Sequence, residues 1–194
     1  MKNVLVSIIF IVYLIFFSSY SITMANEEAS YDVVHKTDIY EIRYYSDRLV
    51  VQTTNSSFGN DDSSFRKLFN YISGANSTSK EIKMTIPVTQ TKKDKETFMQ
   101  FYLPSKYSKE TIPVPSNPSI EIALIKKGYF AVKKYSGRSS DKNFEKHSKI
   151  LYQKLLEDQI LIKGSSIKAT YNGPFTLPIF RRNEAMFNVD WNNK

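Results

Sequence analysis

The chain is predicted to be an α+β protein, with a β-α-β-β unit occurring twice and building a distorted antiparallel β-barrel or a curved sheet flanked by two helices. Three observations predict it. Alternating stretches rich in Ile, Val, Tyr, Thr and Phe recur along the chain, as strands require. Two stretches switch to helical periodicity. The order strands, helix, two strands is met once before and once after the proline-rich connector "PSKYSKETIPVPSNPS", although the halves share little sequence. A duplication of this kind leaves a pseudo-two-fold groove in which a ligand could sit.

In order, "DIYEIRYYSDRLVVQTT" (38–54) alternates and breaks at Ser46-Asp47, so it is two short strands or one bent strand. "NDDSSFRKLFNYISGAN" (60–76) places Phe65, Leu68, Phe69 and Ile72 at i, i+3, i+4 and i+7, behind Asp and Ser capping candidates and ahead of Gly74. That is a short amphipathic helix. "EIKMTIPVTQ" (81–90) and "ETFMQFYLP" (96–104) are strands joined by the charged turn "TKKDK". Alternation in the second sets Phe98, Gln100 and Tyr102 against Met99, Phe101 and Leu103.

In the second half, "IEIALIKKGYFAVKKYSG" (120–137) supplies two strands around Lys127-Gly128. "DKNFEKHSKILYQKLLEDQI" (141–160) is a longer helix with Phe144, Leu151 and Leu155 on one side and Tyr152 beside them. The Asn172-Gly173-Pro174 turn and Pro178 are expected to carry the chain across the domain before the terminal strand "EAMFNVDW".

The N-terminus has Lys2, an uncharged apolar block from Val4 to Phe17, then polar and small residues ending at Ala25. This is the layout of a secretory signal (1–25), with an uncleaved membrane anchor as the alternative because the block is somewhat shorter than the roughly 20 residues of a comfortable span. Residues 26–37 are expected to be a flexible lead-in and 38–194 the functional domain, outside the cytoplasm as a periplasmic or secreted monomer. The chain has no cysteine, which excludes disulfides, a thiolate nucleophile and a Cys-based metal site. The net charge of +8 comes from scattered lysines and suits anionic partners, without the arginine and aromatic interleaving of a nucleic-acid platform.

Chemistry-bearing constellations are sparse. The two histidines, His35 and His147, lie far apart; the first is expected in solvent, the second partly buried and hydrogen-bonded on its helix. No metal-ligand spacing, nucleophile elbow or phosphate loop occurs, and Asp61-Asp62 and Glu157-Asp158 are explained by helix ends. No catalytic residues and no metal site are assigned, and the chain is expected to be a binding protein rather than an enzyme. Two sequons, at Asn55 and Asn76, would matter only in a glycosylating host.

Three segments, "YEIRYY", "FRKLFNYISGANSTSKEIKMTIPV" and "YNGPFTLPIFRRNEAMFNV", resemble in order and spacing the SOUL haem-binding family, also called heme-binding protein 1/2-like. The resemblance spans about residues 38 to 191. It implies non-covalent binding of haem or another tetrapyrrole as ligand, with an apolar first-helix surface as the contact. Here that surface would be Phe65, Leu68, Phe69 and Ile72, above all Phe65 and Phe69, while periodicity alone equally makes the stripe core. Arg66 and Lys67 are the cations that this helix offers to propionates. Tyr44 stands where some relatives carry histidine and is a candidate axial ligand. Arg181, Arg182, Asn183 and Glu184 are either a propionate clamp or a structural latch, with one arginine buried and paired and its neighbour in solvent. The expected role is carriage, buffering or sequestration of haem. The alternatives are another amphipathic ligand or a protein partner on the same fold and, less favoured, a tetrapyrrole-modifying enzyme. Membrane contact is expected only through an uncleaved N-terminal segment.

Overall fold

The computed structural model of the chain describes residues 26–55, 61–94 and 96–191, so the predicted signal or anchor lies outside the described residues. The first half holds β1 (Glu27–Glu28), β2 (Asp32–Lys36), β3 (Glu41–Tyr45), β4 (Arg48–Asn55), α1 (Asp61–Ile72), β5 (Thr85–Ile86), β6 (Val88–Lys93) and β7 (Glu96–Tyr102). The second holds β8 (Ile120–Ile125), β9 (Gly128–Tyr135), α2 (Asp141–Glu157), β10 (Leu161–Thr170) and β11 (Asn183–Asp190). Nine strands form one sheet in the order β2-β3-β9-β11-β10-β6-β7-β4-β8, antiparallel throughout, while β1 pairs in parallel with β5.

The order is symmetric about the β10–β6 contact: β11, β9 and β3 lie outward on one side, β7, β4 and β8 on the other. Each half thus gives its first strand to its partner, β3 pairing with β9 and β8 with β4. Only Ser46-Asp47 separate β3 from β4, and only Lys126-Lys127 separate β8 from β9, yet neither pair forms a hairpin. The sheet must therefore curl until its two ends approach. The two crossings touch there, the Lys127 N–H donating to Asp47 Oδ1 at 2.6 Å. Of the predicted forms, the curved sheet is the one observed: among the described residues nothing pairs β2 with β8, so no barrel closes.

Alternation divides the side chains between an outer face bearing both helices and an inner face. Leu68, Tyr71 and Ile72 of α1 pack on Val51, Met99 and Phe101 of the outer face. Leu151 and Leu155 of α2 pack on Ile42, Ala131, Ala185 and Phe187. Each such fully buried leucine contributes about 1.5–3 kcal/mol relative to exposure. The inner face gathers Tyr45, Phe130, Val132, Ala169, Tyr171 and Met186. Among the described residues every buried core side chain lies between Tyr40 and Val189, so residues 26–194 contain the whole of the described core.

Helix ends follow the sequence. Gly74 stops α1 at φ +113°, a conformation costly for a side chain, and Ser140 caps α2 by accepting from the Asn143 N–H at 3.3 Å.

Three expectations are corrected. Residues 26–37 are not a loose lead-in, since they supply β1 and β2 and belong to the domain. The strand foreseen over 81–90 begins only at Thr85 and divides at Pro87, which has no N–H to give to a ladder. The 171–182 segment does not cross the domain, because β10 and β11 are adjacent antiparallel strands and the segment loops outward between them. Asn76 is 5% exposed with its amide donating to Tyr71 O and Lys80 O, so that sequon is occupied structurally. The other sequon extends into residues outside those described.

Candidate functional site

A groove of about 410 Å³ lies on the outer face where the two halves meet, at the predicted pseudo-two-fold. Its floor comes from β6, β7 and β10: Val88, Gln90, Met99, Lys168 and Thr170. Register explains the set, since Thr170 pairs with Val88, Lys168 with Gln90, and Gln90 with Met99, so all five side chains share one face. One wall is Phe65 of α1, the other Ser139 beside the α2 cap, and Asn172 to Pro174 close one end.

The α1 stripe divides in two. Leu68 and Ile72, 0% and 5% exposed, are sealed against the sheet and offer nothing to a ligand on the surface. Phe65 and Phe69 remain 40% and 47% exposed, their rings nearly parallel (13°) with centroids 6.0 Å apart. Phe65 is also held edge-on against the core ring of Phe101 at 5.1 Å. The result is a positioned aromatic ledge beside the groove. At the floor, Lys168 places its Nζ 2.9 Å from Asp141, and this hydrogen bond holds the Asp141 carboxyl below its usual range against the opposing effect of burial.

The four polar residues at the entry to β11, Arg181 to Glu184, serve the inner face and the neighbouring loop. Glu184 is 0% exposed and accepts from Arg43 Nη1 (3.0 Å), the Tyr171 hydroxyl (2.6 Å) and Arg182 Nε (3.0 Å). Burial opposes the Arg43 charge, but Glu184 and Tyr45 more than offset this and hold the guanidinium firmly protonated. Burial first, then Glu184, pushes the Tyr171 hydroxyl far up, so it stays a neutral donor. Arg182 lies over the Tyr171 ring at 3.7 Å and binds Glu28 through both terminal nitrogens, at 2.9 and 2.8 Å. Arg182 and Glu184, two apart in an extended segment, share a side, so no backbone turn is needed to pair them. Arg181 donates to the carbonyls of Thr176 (2.7 Å) and Pro174, and Asn183 to Gly137 O (3.1 Å). Both arginines are half-buried and hydrogen-bonded, so neither matches the arginine foreseen in solvent.

Tyr44 lies on the half that carries α2, its ring 5.2 Å from Tyr129, and does not line the groove. The structure therefore does not bring Tyr44 together with Phe65 and Phe69. His35 is exposed as expected. His147 is half-buried, but it stacks on Tyr135 (4.3 Å, 10°) and its Nδ1 has no hydrogen-bond partner, so the bonded histidine foreseen is instead a stacked one. Burial, then Lys133 and Lys146, lower its pKa, favouring the neutral ring.

Sequence reading missed Glu28, Arg43, Arg48 and Lys168. Arg43 carried a signal, because it shares parity with Tyr45 in an alternating strand and so had to face inward. Arg48 lies 4.1 Å over the Tyr45 ring and 5.0 Å from Phe130, a cation used across the bend between β3 and β4. A larger hollow, about 780 Å³, adjoins Arg48 and Tyr102, but serines and the carboxylates of Glu27, Glu28 and Asp47 make up much of its wall. It suits a flat apolar anion less well than the groove does.

A family model described as SOUL heme-binding protein matches residues 26–188, and the chain belongs to that family. The C-terminal domain of EcmrR superposes with a TM-score of 0.59 at 14% identity, covering 82% of this chain and 98% of that one. A hydrolase from Listeria innocua superposes with a TM-score of 0.59 at 8% identity, covering 81% and 94%. At these identities the likenesses show the shared fold alone. Comparison with curated protein sequences gave no significant match.

Proposed function

We propose that this domain binds haem or a related tetrapyrrole non-covalently, with the ring against Phe65 and Phe69 at the mouth of the groove. A porphyrin is a flat apolar plate with two carboxylates, and needs aromatic surface for the first and cations for the second. The observation that carries the reading is the parallel, half-exposed Phe65–Phe69 pair, because a helix folding only for its core leaves no reason to hold two large rings in water. The groove volume falls in the range of small-molecule sites. Among the groove's described lining residues there is no histidine, and the Tyr171 hydroxyl is already given to Glu184. Recognition therefore rests on the ring rather than on the iron, and non-covalent carriage, buffering or sequestration needs no more than that. A location outside the cytoplasm is supported by the Val4–Phe17 block behind Lys2.

The test is a titration of residues 26–194 with ferric haem and with iron-free protoporphyrin, followed by absorbance. Both should saturate with affinities within about tenfold of each other, and Phe69→Glu should weaken both. No saturable change with the parent chain would reject tetrapyrrole binding. Binding that survives Phe69→Glu would move the site elsewhere on the fold, and another flat amphipathic anion would then be the ligand to seek for the groove.

A further inference from the structure

The loop between β10 and β11 turns four large apolar side chains outward. Phe175 is 97% exposed, Ile179 74%, Phe180 73% and Leu177 63%. Nothing in the packing of the domain calls for this, and a contiguous exposed apolar patch marks an interaction surface. The loop is also braced. Arg181 donates to the carbonyls of Pro174 and Thr176, the Gly137 N–H donates to Pro178 O at 2.9 Å, and Phe180 N–H to Leu177 O at 2.9 Å. Pro174 and Pro178 restrict the backbone further. These contacts display the apolar side chains on a framework already ordered, so little conformational entropy is left to lose when they are covered.

The charge beside the loop points to a lipid bilayer with anionic headgroups as the covering partner. The hollow next to the loop has Arg138 and Arg181 and no carboxylate among its described lining residues. Residues 171–183 and the adjoining connection 136–140 contain no Asp or Glu, Arg138 is exposed beside the loop, and the whole chain carries +8. Asn172, Gly173 and Pro174 at the base of the loop also close one end of the groove.

We infer that the β10–β11 loop is a membrane-docking tip, with Phe175, Leu177, Ile179 and Phe180 entering the acyl boundary and Arg138 resting among anionic headgroups. Apolar burial and headgroup attraction add in such binding. The inference does not depend on tetrapyrrole binding. If both hold, docking brings the closed end of the groove to the bilayer surface, from which a lipophilic ligand can pass without crossing water.

The experiment is co-sedimentation of residues 26–194 with phosphatidylcholine vesicles, with and without phosphatidylglycerol. The parent should bind the anionic vesicles more tightly than the neutral ones. Phe175→Ser/Phe180→Ser should weaken binding to anionic vesicles by at least about tenfold. Arg138→Glu should weaken binding to the anionic vesicles and leave the neutral ones unchanged. Equal melting curves for parent and variants show that folding is intact. In a Trp191→Phe background, Phe175→Trp should shift its emission to the blue on adding vesicles. A parent chain that ignores vesicles overturns the inference, as does a double variant that binds like the parent. Light scattering that finds a dimer of the parent, a monomer of the double variant and no vesicle binding by either would assign the loop to a second copy of this chain.

Discussion

The carboxylate of Glu184 meets the guanidinium of Arg43 at 3.0 Å, with their side chains 0% and 1% exposed and 141 positions apart in sequence. The pair joins β3 of the first half to β11 of the second across β9, so it bridges the two strands that flank β9. Tyr171, Arg182 and Glu41 fill the remaining hydrogen-bonding directions. A buried pair so completely satisfied fixes which strands lie together.

Glu184→Gln should cost about 3–5 kcal/mol in urea unfolding, because it leaves the Arg43 charge buried with its main partner gone. The double variant Arg43→Met/Glu184→Leu should lose much less than the sum of the single losses. Additive losses would show that the two residues do not act as a unit.

Arg182→Met should lower the melting temperature through loss of the two-bond contact with Glu28, which ties β1 to the segment leading into β11. A loss of about 1–3 kcal/mol is expected, with haem affinity unchanged. Arg181→Met should leave global unfolding nearly as it is and loosen only the β10–β11 loop, seen as faster amide exchange there. Weaker haem binding by Arg182→Met at unaltered stability would reverse the assignment in favour of a propionate clamp.

The two parts of the α1 stripe should separate cleanly. Leu68→Ala, at a position 0% exposed, is expected to cost about 2–5 kcal/mol of stability. Phe69→Ala, at a position 47% exposed, should change stability by no more than about 1 kcal/mol and yet weaken haem binding severalfold. If calorimetry and titration gave the opposite pattern, the stripe would be core throughout.

Tyr44→Phe should leave the Soret maximum of bound haem in place, because the phenol lies against Tyr129 and away from the groove. A shift to a spectrum lacking phenolate ligation would place the iron at Tyr44 instead.

His147 sets a pH dependence of known sign. Its pKa is lowered in the fold, chiefly by burial and then by Lys133 and Lys146, so the unfolded chain takes up the proton first. Stability from this group is complete above the unfolded value near about 6.5 and is lost as pH falls through the lower folded value. His147→Phe, which retains a ring to stack on Tyr135, should flatten the decline in melting temperature between about pH 7 and pH 5. An unchanged slope would assign the titration to other groups.

Local pattern was enough to place both helices, the Gly74 stop, the alternation of Met99 and Phe101 against Tyr102, and the likeness to the SOUL family. These depend on neighbours within a turn or a strand, and periodicity records such neighbours directly. Long-range partners left no such record. That Arg182 would reach Glu28, that Lys168 would lie in the groove floor, and that β3 and β8 would change places depended on strand register and on the curl of the sheet. The i, i+3, i+4, i+7 spacing marked Phe65, Leu68, Phe69 and Ile72 as one apolar stripe. Only packing against β4 and β7 sealed Leu68 and Ile72 and left the two phenylalanines in water, because a helix lying on a curved sheet buries one flank of its stripe more deeply than the other.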